Sequence, residues 1–290
     1  MTISRLAVVA IVLASATCAC AETVFKVATI APDNTTWLNE LRAAGKSVAQ
    51  ETEGRVKFKY YPGGVMGDDQ AVIRKMRAGQ LQGGIVLTSV FAKRAPAVQV
   101  FTLPLHFENY EEIDLVRSAM DQMVIEELEE VGYICFGLSE IGFAYAMSTA
   151  PIQTVEQIRK RKFWIPKGDQ GSQNFLASFG ITPKPLSPID VLTGLQTGLI
   201  DTVASSPSAA IAMQWHGQVD YLLDVPLLYL YGVFVVNKRQ FDRLSPEDQE
   251  IVRNHMGHAA ANAGTTTRSD NTASLAVIES RGVKVLTPSE

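Results

Sequence analysis

Apolar residues recur at two spacings along this chain, and the changes of spacing outline its elements. Residues 24–30 form an apolar, β-branched run that reads as a strand. Trp37, Leu41, Ala44 and Val48 then recur at helical spacing, and Gly54 stops that helix. Val56, Phe58 and Tyr60 alternate with Lys57 and Lys59, which is the period of a half-buried strand. Asp68 or Asp69 stands where the next helix needs its cap, with Ile73 and Met76 on the core side and Gly79 at the end. Residues 84–88 return to strand. This β-α-β-α-β order predicts a parallel sheet with helices on its faces and right-handed crossovers.

Further along, Ile113, Val116, Met120 and Val124 share one face of a helix over 111–131. Strands are expected at 133–138, 141–147, 163–165, 230–236 and 283–286. Helices are expected at 170–179, 189–197 and 207–215. Ser245-Pro246-Glu247-Asp248 is a helix start with cap, first-turn proline and first-turn acids. The helix it opens is expected over 245–275. Residues 76–83 and 195–202 echo each other as helix, glycine stop, then strand, which suggests two similar α/β lobes.

Composition narrows the class. The 290 residues are 47% hydrophobic and 19% charged with net charge −4, which excludes a disordered or low-complexity chain. Nucleic acid is not an expected partner, since the chain lacks clustered Lys/Arg to displace counterions. Arg5, the apolar run 6–16 and Ala19-Cys20-Ala21 read as a signal peptide over 1–21. Cleavage there leaves Cys135 as the one cysteine, so the fold uses no intramolecular disulfide. A buried strand position suits that residue.

Catalytic apparatus is not expected. No G-x-S-x-G, phosphate-binding loop, G-x-G-x-x-G or H-E-x-x-H motif occurs. His255 and His258 lie three apart without a carboxylate motif, so a solvated helix face is the reading, with no metal and no cofactor. An extracytoplasmic two-lobed chain without catalytic motifs suits solute capture in a cleft.

Several segments in order resemble one family, the solute-binding proteins of TRAP (tripartite ATP-independent periplasmic) transporters of the DctP type. They are residues 31–37 (APDNTTW), 52–57 (TEGRVK), 61–67 (YPGGVMG), 101–107 (FTLPLHF), 195–201 (LQTGLID) and 237–248. The resemblance spans nearly all of the chain beyond the signal peptide. It implies a periplasmic-binding-protein-like α/β fold: two lobes, each a mostly parallel sheet flanked by helices, with a long helix bridging them. On it, 22–142 with 230–252 form one lobe, 143–229 with 276–290 the other, and 245–275 the bridge. It also implies a monomeric periplasmic receptor that hands an organic acid to two integral-membrane permease subunits driven by an ion gradient. Family chains generally continue for some tens of residues beyond the segment matching 283–286.

The resemblance breaks where the family holds its ligand. The family arginine that clamps a carboxylate corresponds to Trp164, a second arginine to Ala144, and an adjoining Glu-Asn pair to Ala204-Ser205. A bidentate arginine is among the strong anchors. Its replacement means either that other donors hold the carboxylate or that stacking and apolar burial replace it. The candidate ligand contacts are therefore Trp164, Trp37, Ser89, Phe143, Tyr145, Ser205, Ser206, Trp215 and Tyr231. Lys93, Arg94 and Lys167 are further donors. A neutral, aromatic or cationic ligand is the alternative, as is a sensory ligand-binding subunit.

Overall fold

The computed structural model describes residues 22–33 and 35–289. The expected signal peptide lies outside them. β1 (Thr23–Thr29), α1 (Thr36–Glu51), β2 (Val56–Tyr61), α2 (Asp69–Arg77) and β3 (Gly83–Leu87) follow one another as the spacing predicts. β1 pairs in parallel with both β2 and β3. Phe25 and Val27 of β1 are fully buried against Leu41 and Val48 of α1, so the two periods meet in one core. α1 stops where Glu53 and Gly54 both take positive φ, 50° and 83°. α3 (Tyr110–Glu130) is capped by Asn109, whose side chain accepts the Glu112 N–H at 3.0 Å.

The rest of the chain runs β4 (Tyr133–Ser148), α4 (Val155–Arg159), β5 (Trp164–Pro166), α5 (Gln170–Ser178), β6 (Lys184–Leu186), α6 (Val191–Gln196), β7 (Thr202–Ser205), α7 (Pro207–Ala212), β8 (Tyr221–Leu223), β9 (Leu228–Asn237), α8 (Lys238–Phe241), α9 (Pro246–Thr265), α10 (Thr267–Ser280) and β10 (Lys284–Leu286). One sheet runs β10-β8-β4-β9-β3-β1-β2, with β7 also paired to β4, and β5-β6 form a separate parallel pair.

The two strands expected at 133–138 and 141–147 are one continuous β4. The ladder shifts register between Cys135 and Gly137 and again between Glu140 and Gly142, where Gly142 takes φ 106°. These bulges bend the strand without ending it. Residues 133–144 pair with β9, while 145–148 pair with β7. β4 thus leaves the sheet of the first lobe and enters that of the second, giving a two-lobed α/β fold on a shared crossing strand.

Other differences have local causes. The helix expected at 207–215 ends at Ala212, because Gln214 takes φ 60° and Trp215 opens a 3-10 turn. The helix expected over 245–275 starts as predicted, with Ser245 accepting the Asp248 N–H at 3.1 Å. It breaks at Thr266 among three threonines whose branched side chains disfavour helix, and α10 resumes at Thr267. β6, β7, β8, α4 and α8 are too short to show a period. Cys135 is buried in β4, and burial pushes its thiol up to about 12.

Candidate functional site

The loop Gly67-Asp68-Asp69 delivers two carboxylates to the start of α2, and the helix treats them differently. Asp68 is the cap and accepts the Ala71 N–H at 2.8 Å. Asp69, one residue on, points inward and is 6% exposed. Its Oδ2 accepts the Leu87 N–H at 2.9 Å, tying α2 to the end of β3. Its Oδ1 is buried without a partner among the described residues. Burial pushes the carboxyl up to about 7; the Leu87 N–H opposes this and the Asp68 charge adds to it.

Facing Asp69 across a cleft is the loop after β5. Leu87, Ser89 and Val90 complete the first-lobe wall, and Pro166, Lys167, Gly168, Asp169 and Pro188 form the second. Asp169 caps α5, accepting the Ser172 N–H at 3.0 Å and its hydroxyl at 2.7 Å. Lys167 is exposed, and its ammonium has no ion-pair partner among the described residues. The space between the walls is about 30 Å³, room for one or two waters. The lips touch: a methyl group added at Gly64 would lie 2.6 Å from Ile189 Cγ2, and one at Gly168 would lie 3.6 Å from Gln70 Nε2. The two lobes are closed on one another.

Of the nine residues singled out in the sequence, the structure brings Ser89 alone into the lining of this cleft. Trp164, expected as a cleft wall, is turned into the second-lobe core. Its ring meets Trp215 edge-on at 5.1 Å and its Nε1–H donates to the Leu186 carbonyl at 3.1 Å. Trp215 is 4% exposed, and its Nε1 has no partner among the described residues. Phe143 and Tyr231 are buried in an aromatic cluster with Phe101, Tyr229 and half-buried Tyr110, and Tyr145 packs against its edge. Trp37 packs half-buried on the core beneath α1. Ser205 closes β7 opposite Tyr145, and Ser206 caps α7 through the Ala209 N–H. The cause is common to the aromatics: a large ring gains more from packing on all sides than from lining a cleft. Lys93 and Arg94 are exposed and lie outside the cleft lining. Ala144, at the second family arginine, is fully buried.

Sequence reasoning read Asp69 as a cap and missed it as a site residue. The usable signal was the pair itself: one acid suffices to cap a helix, so the second needs another role. His255 bonds Glu51 at 2.7 Å, and no cluster with metal-ligand character occurs among the described residues.

Behind the cleft, Glu140 marks the bend of β4. It is 7% exposed and accepts hydrogen bonds from Arg117 of α3 and from Arg268 of α10, the latter at 2.8 and 2.9 Å. Burial would raise its pKa, but the bonds from Arg268 and the Arg117 charge outweigh it and hold the carboxyl below the usual range. Arg268 also binds Asp114, and the Tyr231 hydroxyl donates to Asp121 at 3.0 Å. This network joins α3, α10 and both crossing strands where the lobes diverge.

Similarity to known proteins agrees with this architecture. A TRAP periplasmic solute-binding protein from Xanthobacter autotrophicus Py2, solved with bound β-D-galacturonate, superposes with a TM-score of 0.84 at 19% identity, covering 91% of this chain and 89% of its own. The sialic acid-binding periplasmic protein SiaP of Vibrio cholerae is 19% identical over 99% of this chain and 90% of its length. The uncharacterized protein YiiZ of Salmonella typhimurium is 27% identical over 73% of this chain; the match spans 65% of that relative's length. The profile of bacterial extracellular solute-binding protein family 7, DctP, matches residues 27–290, and the chain belongs to that family.

Proposed function

We propose that this protein is the extracytoplasmic solute receptor of a TRAP-type importer, a binding protein rather than an enzyme. Residues 1–21 direct its export to the periplasm. The lobes, 22–142 with 230–252 and 143–229 with 276–290, part and close about β4 and β9 around a small organic acid. The closed form, a monomer, then docks on two integral-membrane subunits. Family membership supports this reading, as does the fold of periplasmic solute-binding proteins.

The observation that carries it is the cleft. Two lobes sharing a crossing strand meet at Gly64 and Ile189, and each contributes an unpaired charge to the seam, Asp69 from one and Lys167 from the other. A buried carboxylate oxygen without a hydrogen bond costs stability, so its retention in a cleft marks a place where a ligand supplies the missing donor. Closure then exchanges water for solute at that oxygen.

Thermal unfolding of the purified protein against organic acids, sugar acids and amino acids tests the reading. A solute at 100 times its Kd stabilises by about 2.7 kcal/mol. Stabilisation by at least one such solute is expected; a flat response to all of them contradicts a receptor role.

A further inference from the structure

The receptor reading leaves the chemistry of the solute open, and the two walls of the cleft narrow it. Their charged groups are Asp68, Asp69, Asp169 and Lys167. Asp68 and Asp169 cap α2 and α5 and are half-buried, so water screens the charges they keep. That leaves one carboxylate oxygen, Oδ1 of Asp69, in a side chain more than nine-tenths buried and without a partner. It also leaves one ammonium, on Lys167, from the opposite lobe. The two do not form an ion pair with each other: among the described residues the carboxylate side chain bonds only the Leu87 N–H. Arginine is absent from the walls, and Trp164, which stands at the family's arginine position, has its one donor committed to the Leu186 carbonyl.

A plain dicarboxylate fits this cleft poorly. One of its carboxylates can face Lys167, but the other meets Asp69, and above about pH 7, where Asp69 is ionised, like charges in a closed seam repel. A solute that is positive at one end and negative at the other satisfies both walls. Resting on the receptor reading above, we infer that the solute is an amino-bearing organic acid, a zwitterion whose protonated nitrogen donates to Asp69 Oδ1 and whose carboxylate faces Lys167. The assignment runs from lobe to lobe, so the ligand itself bridges the two walls; with about 30 Å³ between them here, they close less far around a solute than in this structure. Hydroxyl donors on a sugar acid also reach an acceptor, but they leave the Asp69 charge uncompensated; an ammonium satisfies both the hydrogen bond and the charge.

Isothermal titration of matched triplets tests this. Propionate, lactate and alanine differ only in the α-substituent, as do glutarate, 2-hydroxyglutarate and glutamate, and longer triplets extend the series to about ten carbons. Within the triplets that bind, the amino acid is expected to bind at least tenfold tighter than its hydroxy and unsubstituted counterparts. Asp69→Asn keeps the acceptor for Leu87 and the side-chain volume, so it folds. It is expected to weaken the amino acid about 10- to 150-fold, the range of a charge-assisted hydrogen bond, and to narrow the preference within each triplet. Lys167→Gln is expected to weaken all three members together. A hydroxy or unsubstituted acid that binds as tightly as its amino counterpart overturns the inference, as does unchanged amino-acid affinity in Asp69→Asn. Silence of every triplet together with unchanged compactness overturns instead the receptor reading beneath it.

Discussion

Replacing Asp69 by asparagine is expected to stabilise the ligand-free protein, by an amount that depends on pH. In the folded chain burial raises this carboxyl from its ordinary value of 3.8 to about 7. The sign follows from proton linkage. Between those two values the folded state holds a proton that the unfolded state has released, so stability falls as pH rises from 4 to 7 and then levels off. At about 1.4 kcal/mol per pH unit, the interval from 3.8 to about 7 amounts to roughly 4 kcal/mol at pH 8. Asparagine does not titrate and can still accept the Leu87 N–H. Urea unfolding of both proteins at pH 4, 5.5, 7 and 8.5 reads the difference directly, and other titrating groups cancel from it. The variant should gain little at pH 4 and about 3–5 kcal/mol at pH 8.5. A difference independent of pH, or a variant that loses stability as pH rises, refutes the claim that Asp69 is a buried, uncompensated charge. Such a residue trades stability for binding, as groups kept for function do.

Three other outcomes follow from the geometry. Gly64→Ala places a methyl group 2.6 Å from Ile189 Cγ2, so the closed form loses about 1–3 kcal/mol by overpacking, while the strain of alanine at φ 70° falls on open and closed forms alike; affinity for a stabilising solute should fall about 5- to 150-fold and recover in the Gly64→Ala/Ile189→Ala double variant. Glu140→Ala leaves Arg117 and Arg268 facing each other without their shared carboxylate; because both guanidiniums are about one-third exposed, a loss of about 2–3 kcal/mol is expected in urea unfolding. Trp164→Arg removes the edge contact with Trp215 and the bond to Leu186 and buries a cation in their place; it should destabilise by about 3–5 kcal/mol without creating affinity for succinate, measured by unfolding and titration.

The sequence carried the first lobe almost whole. Its strands and helices are long enough to show their periods, and its stops are glycines and caps with fixed stereochemistry. β4 was harder, because Ser139 and Glu140 interrupt the apolar run at 133–147 and a bulge looks like a turn until its partner strand is known. The second lobe was built from strands of three or four residues, such as β6 and β8, whose length hides any alternation. The site was less legible still. Trp164 occupies a position that faces ligand in the family, yet which way an indole turns depends on Trp215 and the Leu186 carbonyl, brought from 51 and 22 residues away. Asp69 escaped notice because helix capping explains an acid at that position well enough. What distinguishes it is the orphan oxygen, which exists once α2, β3 and the loop after β5 are assembled. Lys167 was named as a donor, but nothing in the chain pattern showed that it lines the same cleft as Asp69.

Closure of the two lobes on a solute changes the size of the molecule, which small-angle X-ray scattering reads. The purified protein is measured alone and with a saturating amount of the solute that most stabilises it against heat. A smaller radius of gyration is expected with solute, and loss of that change in Gly64→Ala. An unchanged radius of gyration with every stabilising solute would contradict it.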